Sequence, residues 1–362
     1  MKVGIIGLPE AGKTTLFNAL TRSCVPTHSY AAHDDAVNLG VVTVPDPRFD
    51  FAVEVCAPKK QSPATIELSD GGARVQVHDR GEKFGADFFA GVRNMDALVL
   101  VVRAFHGDTV PLPDGGLDPA RDLRRLHDEL LLADLTVVEG RLERLEKARL
   151  QKRQTPAEAA EHPVLLRIRE HLEANRPVRS LDLSGEEERA IRSFAFVSGK
   201  PLIVVANTDE TPEPSLLEPL WDLCRAEQFP LIELCARVEM ECAQMSPEEE
   251  REFLTALGIE EAARDRLIRE AYRVLGYISF FTVGPDEVRA WTLRDGSTAL
   301  AAAEKIHTDI ARGFIRAEVI TFDDFRQHGG WDQAKAAGRM RLEGKEYRVH
   351  DGDIVHIRFS RG

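Results

Sequence analysis

Gly7-Leu8-Pro9-Glu10-Ala11-Gly12-Lys13-Thr14 satisfies the spacing G-x-x-x-x-G-K-[ST] at every fixed position. The chemistry open to such a stretch is the binding of a polyphosphate. Its backbone N–H groups and the first turn of a following helix face an anion, the lysine reaches the β- and γ-phosphates, and the hydroxyl ligates Mg²⁺. The candidate nucleotide-binding residues here are therefore Pro9, Glu10, Ala11, Gly12, Lys13, Thr14 and Thr15, with Lys13 also catalytic and Thr14 also a metal ligand. The mechanism requires a strand before the loop and a helix after it. Val3-Gly4-Ile5-Ile6 reads as a short buried strand and Thr15-Leu16-Phe17-Asn18-Ala19-Leu20 opens an amphipathic helix.

The elements that must position this loop follow from hydrophobic pattern. Strands are expected at Asn38 to Val44, Thr65 to Leu68, Arg74 to Val77, Ala97 to Val102, Pro201 to Ala206 and Leu231 to Ala236, with helical stretches between them. The run Ala97-Leu98-Val99-Leu100-Val101-Val102 is apolar throughout, as a parallel strand buried on both faces must be. Together these predict a doubly wound α/β sheet, whose ligands bind at the carboxyl ends of the strands. Asn207-Thr208-Asp209-Glu210 and Cys235-Ala236 are delivered to that edge, which makes Asn207, Glu210, Cys235 and Ala236 further nucleotide-binding candidates.

Two other textures interrupt the sheet. Leu123, Leu126, Leu130, Val138, Leu142 and Leu145, resumed by Leu165, Ile168 and Leu172, recur at three- and four-residue spacing and predict an antiparallel helical hairpin over 119–194. Lys147, Arg149, Lys152 and Arg153 make its tip basic, which fits either a polyanionic partner or a solvated helix end paired with Glu143 and Glu146. From 280 to 362 strand, helix, strand and a final hairpin (Tyr347 to Val349 and Ile354 to Phe359) form a compact α+β module. The nucleotide-binding body is then 1–118 with 195–279.

Charge is segregated in the same way. The chain of 362 residues carries a net charge of −13, yet both 119–194 (15 basic, 15 acidic) and 280–362 (13 and 13) are neutral, so the excess lies in the body. Apolar residues at 43% and charged residues at 30% are ordinary for a folded soluble chain. No apolar run is long enough to span a membrane and no leader is evident, so a cytoplasmic location is expected. Five cysteines, widely spaced and without a CxxC, point to neither a disulfide framework nor a zinc site.

With these motifs placed, the chain resembles the Obg-like ATPase family, also called YchF, over essentially its whole length. The resemblance rests on the phosphate loop with Thr15-Leu16-Phe17-Asn18-Ala19-Leu20, on Gly40-Val41-Val42, Pro45-Asp46-Pro47-Arg48, Asn207-x-x-Glu210 and Cys235-Ala236, and on Glu287-Val288-Arg289-Ala290-Trp291-Thr292. Its most specific part is Lys305-Ile306-His307-Thr308-Asp309 with Gly313-Phe314-Ile315-Arg316-Ala317-Glu318-Val319-Ile320. It implies a P-loop GTPase-like domain, an inserted helical coiled coil and a C-terminal ubiquitin-like TGS domain. It also implies slow hydrolysis of ATP in preference to GTP with Mg²⁺, and association with ribosomes or RNA through the hairpin and the TGS-like domain. No DNA sequence specificity and no membrane partner are expected.

Departures from the family gather at the catalytic parts. Glu10 stands where the family's loop usually carries asparagine, and Asp34 where it carries the switch threonine that binds Mg²⁺. The Asp-x-x-Gly element is Asp70-Gly71-Gly72-Ala73, with Asp79-Arg80-Gly81 as the rival placement, so Asp34 and Asp70 join Thr14 as metal candidates. Arg74 lies near the place of a catalytic glutamine and is the second catalytic candidate, while the family's loop histidine is Leu112. Very slow turnover is the expectation. The alternative is a nucleotide-sensing adaptor with little or no hydrolysis.

Overall fold

A computed structural model describes residues 1–23, 38–70, 75–78, 81–107, 115–256, 259 and 261–360. Two compact units are present, Met1–Gly40 with Glu67–Leu267, and Val41–Ile66 with Ile268–Gly362.

In chain order the first half runs β1 (Lys2–Gly7), α1 (Lys13–Thr21), β2 (Asn38–Thr43), α2 (Pro47–Cys56), β3 (Lys60–Ser62) and β4 (Thr65–Asp70). It continues with β5 (Val75–His78), β6 (Gly81–Phe84), α3 (Ala86–Arg93), β7 (Ala97–Ala104), α4 (Pro119–Leu150), α5 (Pro156–Glu173) and α6 (Gly185–Ile191). Next come β8 (Leu202–Thr208), α7 (Pro214–Ala226), β9 (Leu231–Leu234), α8 (Ala236–Cys242), α9 (Pro247–Ala256) and α10 (Ala263–Val274). The remainder is β10 (Tyr277–Thr282), β11 (Glu287–Arg294), α11 (Ala299–Ile306), α12 (Thr308–Arg312), β12 (Phe314–Ile320), α13 (Phe322–His328), α14 (Trp331–Ala336), β13 (Arg341–Glu343) and β14 (Ile354–Phe359).

The first sheet has the order β2-β4-β1-β7-β8-β9, and β4, β1, β7, β8 and β9 pair in parallel. From β1 the chain steps to one side for β4 and to the other for β7, so the carboxyl end of β1, where the phosphate loop begins, is the point at which a crevice opens. The expected α/β sheet is present. Every residue of β7 is buried, and Leu98, Leu100 and Val102 pack with Leu123, Leu126 and Leu130 of α4 and Leu217 and Leu220 of α7. Burying this continuous face is the main drive for the unit.

The nine expected hairpin positions are all buried, the upper ones forming a separate core of Val138, Leu142, Leu145, Leu165, Ile168 and Leu172. Local chemistry sets the helix ends. Asp118 accepts from the Arg121 backbone N–H before Pro119, and Thr155 and Glu158 form a capping box at the start of α5. At the base, fully buried Asp134 accepts from the backbone N–H groups of Val197 (3.0 Å) and Ser198 (2.7 Å).

Nearby, Arg179 donates to His127 Nε2 (3.3 Å) and lies over the Phe229 ring at 4.9 Å. Burial, and then the charge of Arg179, push the His127 imidazole from 6.5 down to about 4. The folded state therefore holds His127 neutral while the unfolded chain protonates it, so this stability is present above pH 6.5 and is lost as pH falls toward 4. The loss should be about 3 kcal/mol. Chemical denaturation between those pH values measures it, and His127→Gln, which keeps an acceptor for Arg179 but cannot be protonated, should flatten the profile.

In the second unit the sheet has the order β13-β12-β14-β10-β11-β3. The division differs here from the expected domain boundaries, because 41–66 belongs with the C-terminal residues and the boundary falls at 267/268. The causes are long-range. β3 pairs in parallel with β11, the Phe51 ring meets Phe322 (5.8 Å) and Phe325 (6.3 Å) edge-on, and Arg48 makes a two-point contact with Asp351 at 2.8 and 3.1 Å.

Two local expectations are corrected. The final hairpin does not form. β14 pairs with β12 on one side and β10 on the other, so both its edges are taken, and Tyr347 instead donates its hydroxyl to Asp353 (2.7 Å). The helix expected from Ala299 to Ile310 breaks at His307, whose extended backbone (φ −168°) lets Nδ1 cap Asp309 N–H at 3.1 Å.

Candidate functional site

The phosphate loop is fixed from below by two contacts that leave no room for a side chain. A Cβ at Gly7 would stand 2.4 Å from the Val101 carbonyl oxygen. One at Gly12, whose φ is +89°, would stand 2.2 Å from Asn207 Nδ2. The glycines of the motif are thus required by close backbone approach. Within the loop, Lys13 Nζ donates to the Leu8 carbonyl (2.8 Å), which ties the ammonium back to the loop itself.

Thr14, in the first turn of α1, donates its hydroxyl to Asp70 Oδ2 at 2.9 Å. Asp70 ends β4, whose register places it beside Ile5 of β1, and it is 2% exposed. Among the described residues its buried Oδ1 has no hydrogen-bond partner. Buried carboxylate oxygens are seldom left unmatched. A hydroxyl and a carboxylate with a spare oxygen, set at a polyphosphate loop, are the oxygen donors that Mg²⁺ accepts when phosphate and water complete its shell. Among the described residues no group of three or more His, Cys, Asp or Glu is gathered as an all-protein metal site. Asp34, Arg74, Asp79 and Leu112 lie outside the described residues.

Asn207 does more than border the site. Its Nδ2 donates to the Ala11 carbonyl and its Oδ1 accepts from the Ala236 N–H, both at 3.0 Å, so one buried amide ties the phosphate loop to the loop after β9. Cys235 caps α8 beside it and is a half-buried free thiol. Glu210 projects from the loop after β8 and accepts from Arg237 at 2.6 Å, both side chains being exposed. Pro9 and Glu10 are exposed on the loop and Thr15 is half-buried in α1.

Two residues that the sequence reading passed over belong to this site. Arg237 is the partner of Glu210. Arg103, at the end of β7, is 4% exposed and its Nη1 lies 3.7 Å from Glu10 Oε2, so the charge of Glu10 in the loop is countered. The available signal was a lone arginine closing an otherwise apolar strand.

Residues 2–138 match a family model described as a 50S ribosome-binding GTPase, and residues 277–360 match the YchF GTPase C-terminal model, described as a protein of unknown function. Curated relatives span the chain from end to end. The ribosome-binding ATPase YchF of Bacillus subtilis is 38% identical, that of Haemophilus ducreyi 42% and that of Escherichia coli O157:H7 40%, each with 99% of both chains covered. The solved structure of the Schizosaccharomyces pombe YchF GTPase superimposes with a TM-score of 0.86 at 32% identity, covering 99% of this chain and 97% of that one. Matched along its whole length by these relatives in sequence and by a solved member in fold, the chain belongs to the YchF family.

Proposed function

We propose that this protein binds ATP with Mg²⁺, hydrolyses it slowly, and acts in the cytoplasm as a nucleotide-dependent switch on the ribosome. The observation that carries the reading is the Thr14 hydroxyl hydrogen-bonded to Asp70, whose second oxygen has no partner among the described residues, beside an intact Lys13. Thr14 and Asp70 are the residues that would hold the cation, Thr14 directly and Asp70 directly or through water. Mg²⁺, when bound, supplies positive charge to the β- and γ-phosphate oxygens. Lys13 supplies a second positive charge, and the loop's N–H groups orient the phosphates. The names of the relatives support an ATPase and a ribosomal partner.

ATP over GTP follows from the base loop. Guanine-specific relatives end Asn-Lys-x-Asp in an aspartate that accepts from guanine N1–H and N2–H. Here Glu210 is one methylene longer and is drawn toward Arg237, so it does not reproduce that two-bond geometry. The basic hairpin tip is the proposed RNA contact, together with the TGS-like module of 280–362. Arg149 there pairs with Glu146 at 3.1 Å, while Lys152 and Arg153 are exposed. Neutralising phosphates makes such binding salt-sensitive.

Phosphate release at saturating Mg-ATP should proceed below about 1 per second, and ATP should displace GTP at lower concentration. Co-sedimentation with ribosomes should fall on adding salt and vanish in the triple variant Arg149→Glu, Lys152→Glu, Arg153→Glu. GTP outcompeting ATP would sink the base assignment. Undiminished sedimentation of the variant would leave the tip as a solvated helix end.

A further inference from the structure

We propose that Arg103 is a positioning residue of the phosphate loop: through Glu10 it sets the electrostatic state of the loop, so that the contribution of Arg103 to nucleotide affinity grows with the number of phosphates bound. The inference rests on the nucleotide-binding reading above.

Glu10 is an improbable residue for its place. Its φ of +61° is in the left-handed region, which glycine and asparagine enter readily and a glutamate enters at a cost. Its carboxylate also adds a negative charge to a loop whose exposed N–H groups are arranged for an anion. Something must offset both, and Arg103 is built to do so. Its Nε donates to the Phe105 carbonyl (3.0 Å) and its Nη2 to the His106 carbonyl (2.6 Å), while the guanidinium lies over the Phe105 ring at 4.7 Å. The same ring reaches within 3.9 Å of where a Gly12 Cβ would stand, so the stack lies directly against the phosphate loop. The cation is thereby fixed before any ligand arrives, with little rotamer freedom left to lose.

At 3.7 Å the contact with Glu10 is longer than a hydrogen bond. It acts as a charge–charge attraction between a buried guanidinium and an exposed carboxylate, so solvent screens it from the Glu10 side only. Burial pulls the guanidinium below its ordinary value, and the negative charges of Glu10, Asp209 and Asp122 oppose that pull. Without Arg103 the Glu10 carboxylate would repel each added phosphate. With Arg103 in place, the pair presents no net charge and the loop N–H groups and Lys13 decide the affinity.

The test is equilibrium binding of Mg-ATP, Mg-ADP and AMP to the full chain as wild type, Arg103→Met, Glu10→Asn and the double variant. Arg103→Met should lose about 100-fold in Mg-ATP affinity, about 10-fold for Mg-ADP and roughly twofold at most for AMP. Glu10→Asn, which removes the charge and suits the left-handed backbone, should tighten Mg-ATP binding several-fold. The double variant should return to within several-fold of Glu10→Asn. An equal loss for all three nucleotides, or no recovery in the double variant, would overturn the proposal and leave Arg103 a packing residue. If Arg103→Met does not fold, Arg103→Lys decides. It keeps the charge, loses the stacked fork, and should retain Mg-ATP affinity to about 10-fold; a greater loss overturns the charge argument. No saturable binding of Mg-ATP by the wild type would overturn the nucleotide reading itself, and this inference with it.

Discussion

Asp70→Asn is expected to move stability and ligand affinity in opposite directions. Asp70 is 2% exposed, and among the described residues only its Oδ2 is engaged, by Thr14, while its Oδ1 has no partner. An ionised oxygen buried without a partner costs the ligand-free fold, and a neutral amide of the same shape relieves part of that cost. The variant should gain about 1 kcal/mol in unfolding free energy. The same change removes the negative charge that a hard cation needs, so Mg-ATP affinity should fall by about 100-fold, equivalent to roughly 3 kcal/mol. Binding of ATP in excess chelator should barely change, because Lys13 and the loop N–H groups are untouched. Thr14→Ala should share the loss of Mg-ATP affinity but not the gain in stability. Thermal denaturation and calorimetric titration with and without Mg²⁺ measure these effects. If Asp70→Asn binds Mg-ATP as the wild type does, Asp70 does not serve the cation and the rival Asp79 takes precedence.

The phosphate loop could be read from eight letters because its fixed residues answer to contacts within and immediately around one strand-loop-helix unit. The glycines are demanded by Val101 and Asn207, and no other residue type fits there. The buried strands were equally legible, since Ala97 to Val102 has no polar residue to face solvent. Local pattern failed where a distant partner decides. Nothing in Lys60-Gln61-Ser62 announces that it will pair with Glu287 to Arg289, and that pairing carries 41–66 into the C-terminal unit. Tyr347 to Val349 alternates as a strand should, but β14 had two other neighbours. Asp70 could be chosen over Asp79 only by its spacing in a resemblance, because parallel pairing of β4 with β1 leaves no short-range signature.

The site has a rigid half and a charged half. Asn207, Gly7 and Gly12 fix the backbone by contacts whose partners are other backbone atoms or one buried amide. Glu10 with Arg103 and Glu210 with Arg237 are charge pairs, the first on the phosphate loop and the second in the loop after β8. The two pairs should respond differently to salt. Arg103 is buried and only its partner Glu10 is exposed, so that pair is screened less than Glu210 and Arg237, which are both more than 60% exposed and whose attraction fades within a Debye length. The Glu210–Arg237 contact is therefore the more salt-sensitive of the two and the Arg103–Glu10 contact the less.

Asn207→Ala is expected to be the most damaging side-chain truncation at the rigid half. Asn207 is 5% exposed, and its amide is the donor to Ala11 O and the acceptor for Ala236 N–H. Truncation leaves both backbone groups buried without partners, at about 1–3 kcal/mol each, so the loss of unfolding free energy should be about 2–6 kcal/mol. Because Ala11 lies in the phosphate loop and Ala236 starts α8, both ends of the site lose their common anchor, and Mg-ATP affinity should fall at least about 10-fold in the surviving folded protein. Asn207→Asp separates the two bonds. It keeps an acceptor for Ala236 N–H but sets a carboxylate oxygen against the Ala11 carbonyl, pushing the phosphate loop away. Its nucleotide affinity should therefore be lower than that of Asn207→Ala, in spite of the bond it retains. Denaturant unfolding, followed by Mg-ATP titration at a temperature where both variants are folded, gives the order. Equal affinities for the two variants would show that the link to Ala11 carries no weight in holding the phosphate loop, and that Asn207 acts only through Ala236.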